Sequence, residues 1–485
     1  MKTIIAGGGI GGMITALYEN KAGSEVTLFE KKSSTGGRLA YHRHGDYKVD
    51  EGPTVVLLPD MIKEILEELD LKNRVEMQRI DPLYPLHFPD GTTFLKWSST
   101  EKQKEEIRRL FPGEEKNFDK YMTDMETRFT EGKEAFLTKA FLTRRSFWTP
   151  KNVKTLWKLR AYQSVRKQAA AYFKHPKLQD AFSLQTLYIG GSPSETPAIY
   201  SLVSYSEHAH GIWYVKGGYA GLAEVLTEAM EERGVTVRTN AEVEALVTDG
   251  TRCTGVKVDE VVENADRVVL NGEFPLAEKL VREPSRSYKS SSGCLLFYFG
   301  LNEPLDTEYV HNFFMGENLD NHMNDVFKKY RLNRDPSFYV FNPSLIDSSL
   351  APEGQGVAYV LVPVPAGRHI TRKEYQDYAT LIKRKLIEKV DENLETKTVW
   401  EHVRSPYEAK IDGLFSGGSF GLAPSMSQSG IFRPQVKPFA YDNVYAVGAS
   451  VHPGGGIPVV MQGAKILSRV LNEDAAGQGA SPEDV

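Results

Sequence analysis

The chain has 485 residues, 41% of them hydrophobic, a formal net charge of −5 and two cysteines. That is ample material for a buried core and at least two domains, and it excludes a low-complexity chain or a disulfide-framed module. No apolar run approaches the length of a bilayer span, and Cys253 and Cys294 offer no metal-ligand spacing.

The first element in chain order is an apolar strand, Lys2 to Ala6, running into Gly7-x-Gly9-x-x-Gly12. Glycine at these positions permits a tight turn, close backbone approach to a pyrophosphate and packing of the next helix on the strand. A helical pattern follows as far as Gly23, then a second strand, Glu25 to Phe29, ending at Glu30. An acidic residue there suits the hydroxyls of an adenosine ribose. Met1-Lys2 leads straight into the first strand, which predicts no signal peptide and a cytoplasmic protein.

Gly36-Gly37-Arg38 and the strand-to-turn sequence Val49-Asp50-Glu51-Gly52-Pro53-Thr54 come next. The glycines let the chain pass beside a cofactor, and arginine meets a phosphate with charge-assisted hydrogen bonds. A helix is predicted from Met61 to Leu71 with Asp60 as N-cap. No second strand-GxGxxG-helix unit is present, so no separate nicotinamide site is visible and FAD is the expected cofactor.

From Lys133 to His175 the chain carries 11 basic residues and one acidic residue, Glu134, mixed with Phe136, Phe141, Phe147, Trp148, Trp157, Tyr162, Tyr172 and Phe173. This mixture suits an anionic membrane surface; nucleic acid is not expected, because there is no binding module and the rest of the chain is acidic. A second cofactor-domain block is expected to begin near Trp213: strand, Lys216-Gly217-Gly218, helix to Glu232, then the strand Thr236 to Thr239. Residues 285 to 425 alternate apolar and polar in runs such as Leu295 to Phe299, Phe338 to Phe341 and Val357 to Val364, predicting an antiparallel sheet. The third block is the strand Val444 to Val447, a turn from Gly448 through Gly456, and a helix from Ile457 with Pro458 in its first turn.

These motifs resemble the bacterial phytoene desaturase family, flavoproteins that oxidise carotenoid precursors. Gln185-Thr186-Leu187-Tyr188-Ile189-Gly190, Lys216-Gly217-Gly218 and His452-Pro453-Gly454 through Pro458 share in the resemblance, which spans nearly the whole chain. Ser349 to Gly354, Ser419 to Leu422 and Phe432 to Pro434 look most like the thirty-carbon branch, the diapophytoene (dehydrosqualene) desaturases. Gly454 to Pro458, Gly211 to Val215 and His311 to Phe314 are instead similar to related carotenoid oxidases that oxygenate a terminal methyl group, and the desaturases more often carry Ala at the position of Gly455.

The resemblance implies an α/β fold: a Rossmann-like FAD-binding domain of the amine oxidase and phytoene desaturase type, with an inserted antiparallel-sheet substrate domain and a helical membrane-associating segment. The expected FAD-binding domain is discontinuous, over 1–75, 212–285 and 426–475. Residues 76–130, 176–211 and 286–425 form the substrate domain, 131–175 the membrane-contact segment and 476–485 a flexible tail. The expected activity is FAD-dependent desaturation of diapophytoene toward diaponeurosporene by hydride transfer to flavin N5. Terminal methyl oxidation of a diapocarotenoid is the alternative, and a more distant one is a non-catalytic prenyl- or lipid-binding protein of related fold. O2 or a quinone takes the electrons, and the protein sits peripherally on the inner face of the cell membrane.

The expected cofactor residues are Gly7, Gly9, Gly12, Glu30, Gly36, Gly37, Arg38, Gly52, Pro53, Thr54, Gly448, Gly456, Ile457 and Pro458, with the helix from Ile457 aimed at the pyrimidine end of the flavin. His452 is the first candidate base, because an imidazole titrates in the useful range. Glu207, His208 and His210 form a second cluster, and Tyr188, Tyr205 and Phe420 are the expected substrate-lining residues.

Overall fold

The structure, a computed structural model, describes residues 1–281, 286–367 and 370–477. The expected boundary near residue 285 and the tail from residue 478 lie outside the described residues. The strand Lys2–Ala6 is the centre of a five-stranded parallel sheet. Arg267–Asn271 and then Val444–Val447 flank it on one side, Glu25–Phe29 and then Thr236–Arg238 on the other. Ile4 and Ile5 are fully buried, as expected where helices cover both faces of a parallel sheet. The helices Ile10–Lys21 and Ile457–Ala475 pack against each other beside this sheet.

A second sheet has seven strands in the order Thr398–Arg404, Gly293–Leu301, Gly356–Val364, Phe338–Phe341, His311–Phe314, Tyr84–His87, Thr93–Lys96. His311–Phe314 and Tyr84–His87 pair parallel, and the other neighbours pair antiparallel. The expected alternation of apolar and polar residues is absent from Gly293–Leu301, where all nine residues are buried. Leu295, Phe297 and Phe299 pack with Tyr375, Ile382 and Leu386 of the helix Arg372–Lys389, while Cys294, Leu296 and Tyr298 face the opposite core. Both faces of this strand therefore need apolar side chains.

Two expected elements differ. The helix near residue 61 runs Pro59–Glu68 rather than Met61 to Leu71, and Leu58, not Asp60, is the N-cap. Proline presets φ for the first turn, and Asp60 inside that turn favours the positive helix end electrostatically. The strand Ile212–Val215, expected to open a cofactor block, pairs antiparallel with Met77–Ile80 outside the parallel sheet. The segment expected to be helical contains the helices Arg144–Phe147, Pro150–Lys158 and Val165–Ala170. Its aromatic residues divide: Phe136, Phe141, Phe147, Tyr172 and Phe173 are buried, whereas Trp148, Trp157 and Tyr162 are exposed.

Candidate functional site

A cavity of about 460 Å³ runs between the two sheets. Its first half is built by the glycine turns. Gly7 adopts φ +110 after the central strand, where a Cβ would lie 1.9 Å from the Asn271 carbonyl oxygen. Gly9 is the N-cap of the helix Ile10–Lys21, and Gly12 packs so closely that a Cβ would lie 2.2 Å from the Gly7 oxygen. The amide of Asn271 donates to the carbonyls of Gly7 and Gly9, at 2.9 and 3.1 Å, and holds the turn to the neighbouring strand.

Glu30 is buried beside this turn, and its carboxylate accepts from the Gly8 N–H at 2.7 Å and the Lys32 N–H at 2.9 Å. Gly36 donates its N–H to the Gly8 carbonyl at 2.8 Å, and a Cβ on Gly37 would meet the Gly9 Cα at 3.1 Å. The Arg38 guanidinium pairs with the buried carboxylate of Glu273, which also accepts from the Ser450 hydroxyl at 2.9 Å, while Arg38 Nε is buried without a partner among the described residues. Gly52, Pro53, Thr54, Gly448, Gly456 and Ile457 line the same cavity. Gly12 and Pro458 do not; one packs the first helix on its strand and the other begins the last helix.

This half fits a flavin dinucleotide. It offers a helix N-terminus behind close-packed glycines for a pyrophosphate, an oriented carboxylate, and an unpartnered guanidinium nitrogen. Around Gly456 a Cβ would meet nothing within 4 Å, so the last helix begins beside open space. Asn271 and Glu273 were not legible as site residues, because neither belongs to a glycine motif and only the parallel pairing brings their strand beside the first turn.

The second half of the cavity is apolar, with Leu184, Leu187, Leu296, Phe313 and Leu361 on its wall. Tyr188 and Phe420, two of the three residues expected to line the substrate, are on this wall. Gly190, at φ +67, leaves room for the Phe420 ring, which a Cβ there would approach to 2.6 Å. Tyr339 and Thr54, bonded through their hydroxyls at 2.8 Å, also line it; sequence reasoning missed Tyr339 because its strand carried no motif.

Several expected residues lie elsewhere. His452 is not on the cavity wall: its Nε2 meets the Lys139 carbonyl at 3.0 Å and its ring packs edge-on to Phe141. Burial lowers its pKa to about 4, and with its ring turned onto Lys139 and Phe141 it packs away from the cavity rather than facing it as a base. His208 is buried between Phe118 and Phe182 with Nδ1 on the Trp97 carbonyl at 2.7 Å. Burial pushes its pKa down. His210 and Tyr205 pack against Phe129, also off the cavity.

Glu207 is likewise behind the wall, fully buried and 3.1 Å from the Lys96 ammonium. It accepts from Tyr84 at 2.8 Å, Gln185 at 3.0 Å and Tyr188 at 2.8 Å. Its contact with the cavity is indirect, through the ring of Tyr188.

The model of the flavin-containing amine oxidoreductase family matches residues 10–469. A 4,4'-diapolycopen-4-al dehydrogenase of Metabacillus indicus is 50% identical, with 98% of this chain and 97% of that one aligned. A 4,4'-diapophytoene desaturase (4,4'-diaponeurosporene-forming) of Staphylococcus haemolyticus (strain JCSC1435) is 30% identical over 98% and 99% of the two chains. Among solved structures, an oxidoreductase from Methanosarcina mazei has the same fold, with a TM-score of 0.65 at 14% identity over 97% of this chain and 100% of that one. The chain belongs to the flavin-containing amine oxidoreductase family, within its carotenoid desaturase group, and is an FAD-dependent oxidoreductase.

Proposed function

We propose that this chain oxidises the terminal carbon of a thirty-carbon polyene at the aldehyde level, rather than desaturating diapophytoene. The observation that carries this reading is the similarity to the diapolycopen-4-al dehydrogenase, 50% identical against 30% for the desaturase. The apolar wall that joins the glycine turns in one cavity suits a long hydrocarbon chain end.

FAD, when bound, supplies the acceptor for a hydride. The residues of this chain then have three tasks. Gly7, Gly9 and Glu30 hold the dinucleotide end, with the helix N-terminus after Gly9 facing negative charge. Arg38, steadied by Glu273, adds a charge-assisted hydrogen bond. The side chains of Leu184, Leu187, Leu296, Phe313 and Leu361 hold the hydrocarbon stem of the substrate, while the second oxygen of the acid comes from one water that adds to the aldehyde, the hydrate then losing a hydride and a proton.

On this reading the protein works peripherally at the cytoplasmic face of a membrane, where its insoluble substrate resides. Support comes from Trp148, Trp157 and Tyr162, exposed among the basic residues of 133–175, and from the exposed ring of Phe432 beside Trp148. No helix among the described residues is long and apolar enough to cross a membrane.

The test is product analysis in cells making diapophytoene, diaponeurosporene or a terminal polyene aldehyde, with this chain as the added enzyme. Terminally oxidised product from diaponeurosporene or the aldehyde, with diapophytoene unchanged, supports the proposal. New double bonds in diapophytoene would overturn it. Repeating the assay with purified enzyme without O2, with and without a quinone, identifies the electron acceptor.

A further inference from the structure

Three polar side chains from three segments form one hydrogen-bonded chain at the cavity wall. His311 and Tyr339 lie on adjacent antiparallel strands, two residues apart in register, because His311 pairs with Phe341 and Phe313 with Tyr339. The Tyr339 hydroxyl is 2.7 Å from His311 Nδ1 and 2.8 Å from the Thr54 hydroxyl. All three are buried. Tyr339 and Thr54 line the cavity, and His311 stands behind them, stacked on Phe341 with ring centroids 5.2 Å apart.

The protons of this chain can be counted. Burial holds the His311 imidazole neutral, with its pKa lowered to about 3, so the ring carries one N–H. Nε2 is buried with no partner among the described residues. An orphaned buried N–H is rarer than an under-satisfied acceptor, which assigns the proton to Nδ1, where it is donated to Tyr339. The two hydroxyls then hold two protons, and the bond between them uses one whichever way it runs. The other has no partner among the described residues. Leu296, Phe313 and Leu361 of the same wall offer no acceptor, so an oxygen brought by a ligand would satisfy that donor.

We propose that Thr54 and Tyr339, backed by His311, form an oxygen-recognition subsite that donates one hydrogen bond to the terminal oxygen of an oxidised polyene. The inference rests on the terminal-oxidation reading above and adds to it the groups that select an oxygenated chain end. The backbone of Thr54 belongs to the cofactor turn while its side chain faces the sheet, so the residue joins both halves of the cavity. His311 is a positioning residue: it fixes the direction of the Tyr339 proton without reaching the substrate.

The test uses the FAD-loaded enzyme with a long conjugated polyene aldehyde and its hydrocarbon parent as probes. A hydrogen bond lowers the carbonyl stretch and red-shifts the absorption of the bound aldehyde relative to the same aldehyde in hexane. Wild-type protein is expected to show both shifts. The double variant Tyr339→Phe/Thr54→Val, which leaves no hydroxyl proton to donate, is expected to remove them and to weaken aldehyde binding roughly tenfold, with binding of the parent unchanged; each single variant, Tyr339→Phe or Thr54→Val, keeps one unpaired hydroxyl proton and is expected to bring a shift back. Flavin absorbance and the thermal transition show that each variant is folded. A bound aldehyde with an unshifted carbonyl in wild-type protein overturns the subsite even if the variants are unstable, and so does a shift that survives in the double variant Tyr339→Phe/Thr54→Val. If wild-type protein oxidises the terminal carbon without any shift, the subsite alone fails. If it neither binds nor oxidises the aldehyde, the terminal-oxidation reading fails and the subsite with it.

Discussion

The ammonium of Lys96 lies 3.1 Å from the carboxylate of Glu207, and neither side chain is exposed to solvent. Lys96 also donates to the Ala181 carbonyl at 3.2 Å and stands over the Phe182 ring, while Glu207 takes hydrogen bonds from Tyr84, Gln185 and Tyr188. Removing one partner leaves the other charge buried alone. Lys96→Met or Glu207→Gln is expected to lower stability by about 3 kcal/mol, and the double variant by less than the sum. Denaturant unfolding at saturating FAD measures all three; additive losses would show that the pair is not coupled.

The cofactor turn makes a sharper demand on backbone space. A Cβ at position 12 would meet the Gly7 carbonyl oxygen at 2.2 Å, and both atoms are fixed by the sheet. Gly12→Ala is expected to purify without flavin. Glu30→Gln keeps an oxygen for the Gly8 N–H but loses the charge, and a roughly tenfold weaker hold on FAD is expected. The ratio of flavin to protein absorbance after dialysis reads both.

His452 titrates in a direction that separates packing from catalysis. Its folded pKa, about 4, is below the unfolded value near 6.5, so the unfolded chain takes up the proton first. Its contribution is present above pH 6.5 and is lost as pH falls toward 4. His452→Gln is expected to flatten the stability profile in that window relative to wild type, and to leave the pH dependence of kcat unchanged. A catalytic base would instead lose a limb of the kcat profile.

Gly455 tests the turn that distinguishes the oxidase-like from the desaturase-like pattern. A Cβ there would lie 3.3 Å from the Phe420 carbonyl oxygen, close enough to push a residue of the cavity wall. Gly455→Ala is expected to reduce terminal oxidation severalfold, on the order of what a displacement of a few tenths of an ångström costs, with FAD content unchanged. Unaltered turnover would show that Phe420 does not contact the reacting end.

The proposed membrane docking would rest on side chains that the fold leaves outside. Trp157 is 72% exposed on the helix Pro150–Lys158, none of whose residues is buried, and Trp148 stands 6.4 Å from the exposed ring of Phe432. Replacing Trp148 and Trp157 by Ser is expected to weaken flotation with anionic vesicles by about tenfold or more, and salt to weaken what remains. Equal binding to neutral and anionic vesicles would remove the basic residues from the explanation.

The sequence by itself determined the cofactor half of the cavity and the strands that carry it. Gly7, Gly36 and Gly456 answer local requirements, a positive φ or a close backbone approach, and such requirements are written in the residue at the position. The strands Lys2–Ala6, Glu25–Phe29, Phe338–Phe341 and Val444–Val447 formed where short apolar runs bounded by turn residues predict them. Tertiary structure alone decided which polar side chains reach the cavity. Of the residues that type and motif selected, His452, His208 and Tyr205 turned into separate packing, whereas Tyr339 and Thr54, 285 positions apart, met across the wall. Side-chain direction in a buried strand follows from which face each neighbouring layer covers, and here helix Arg372–Lys389 takes one face of the large sheet and the cavity the other. That assignment depends on how two sheets and a helix close around one another, so no local stretch of sequence contains it.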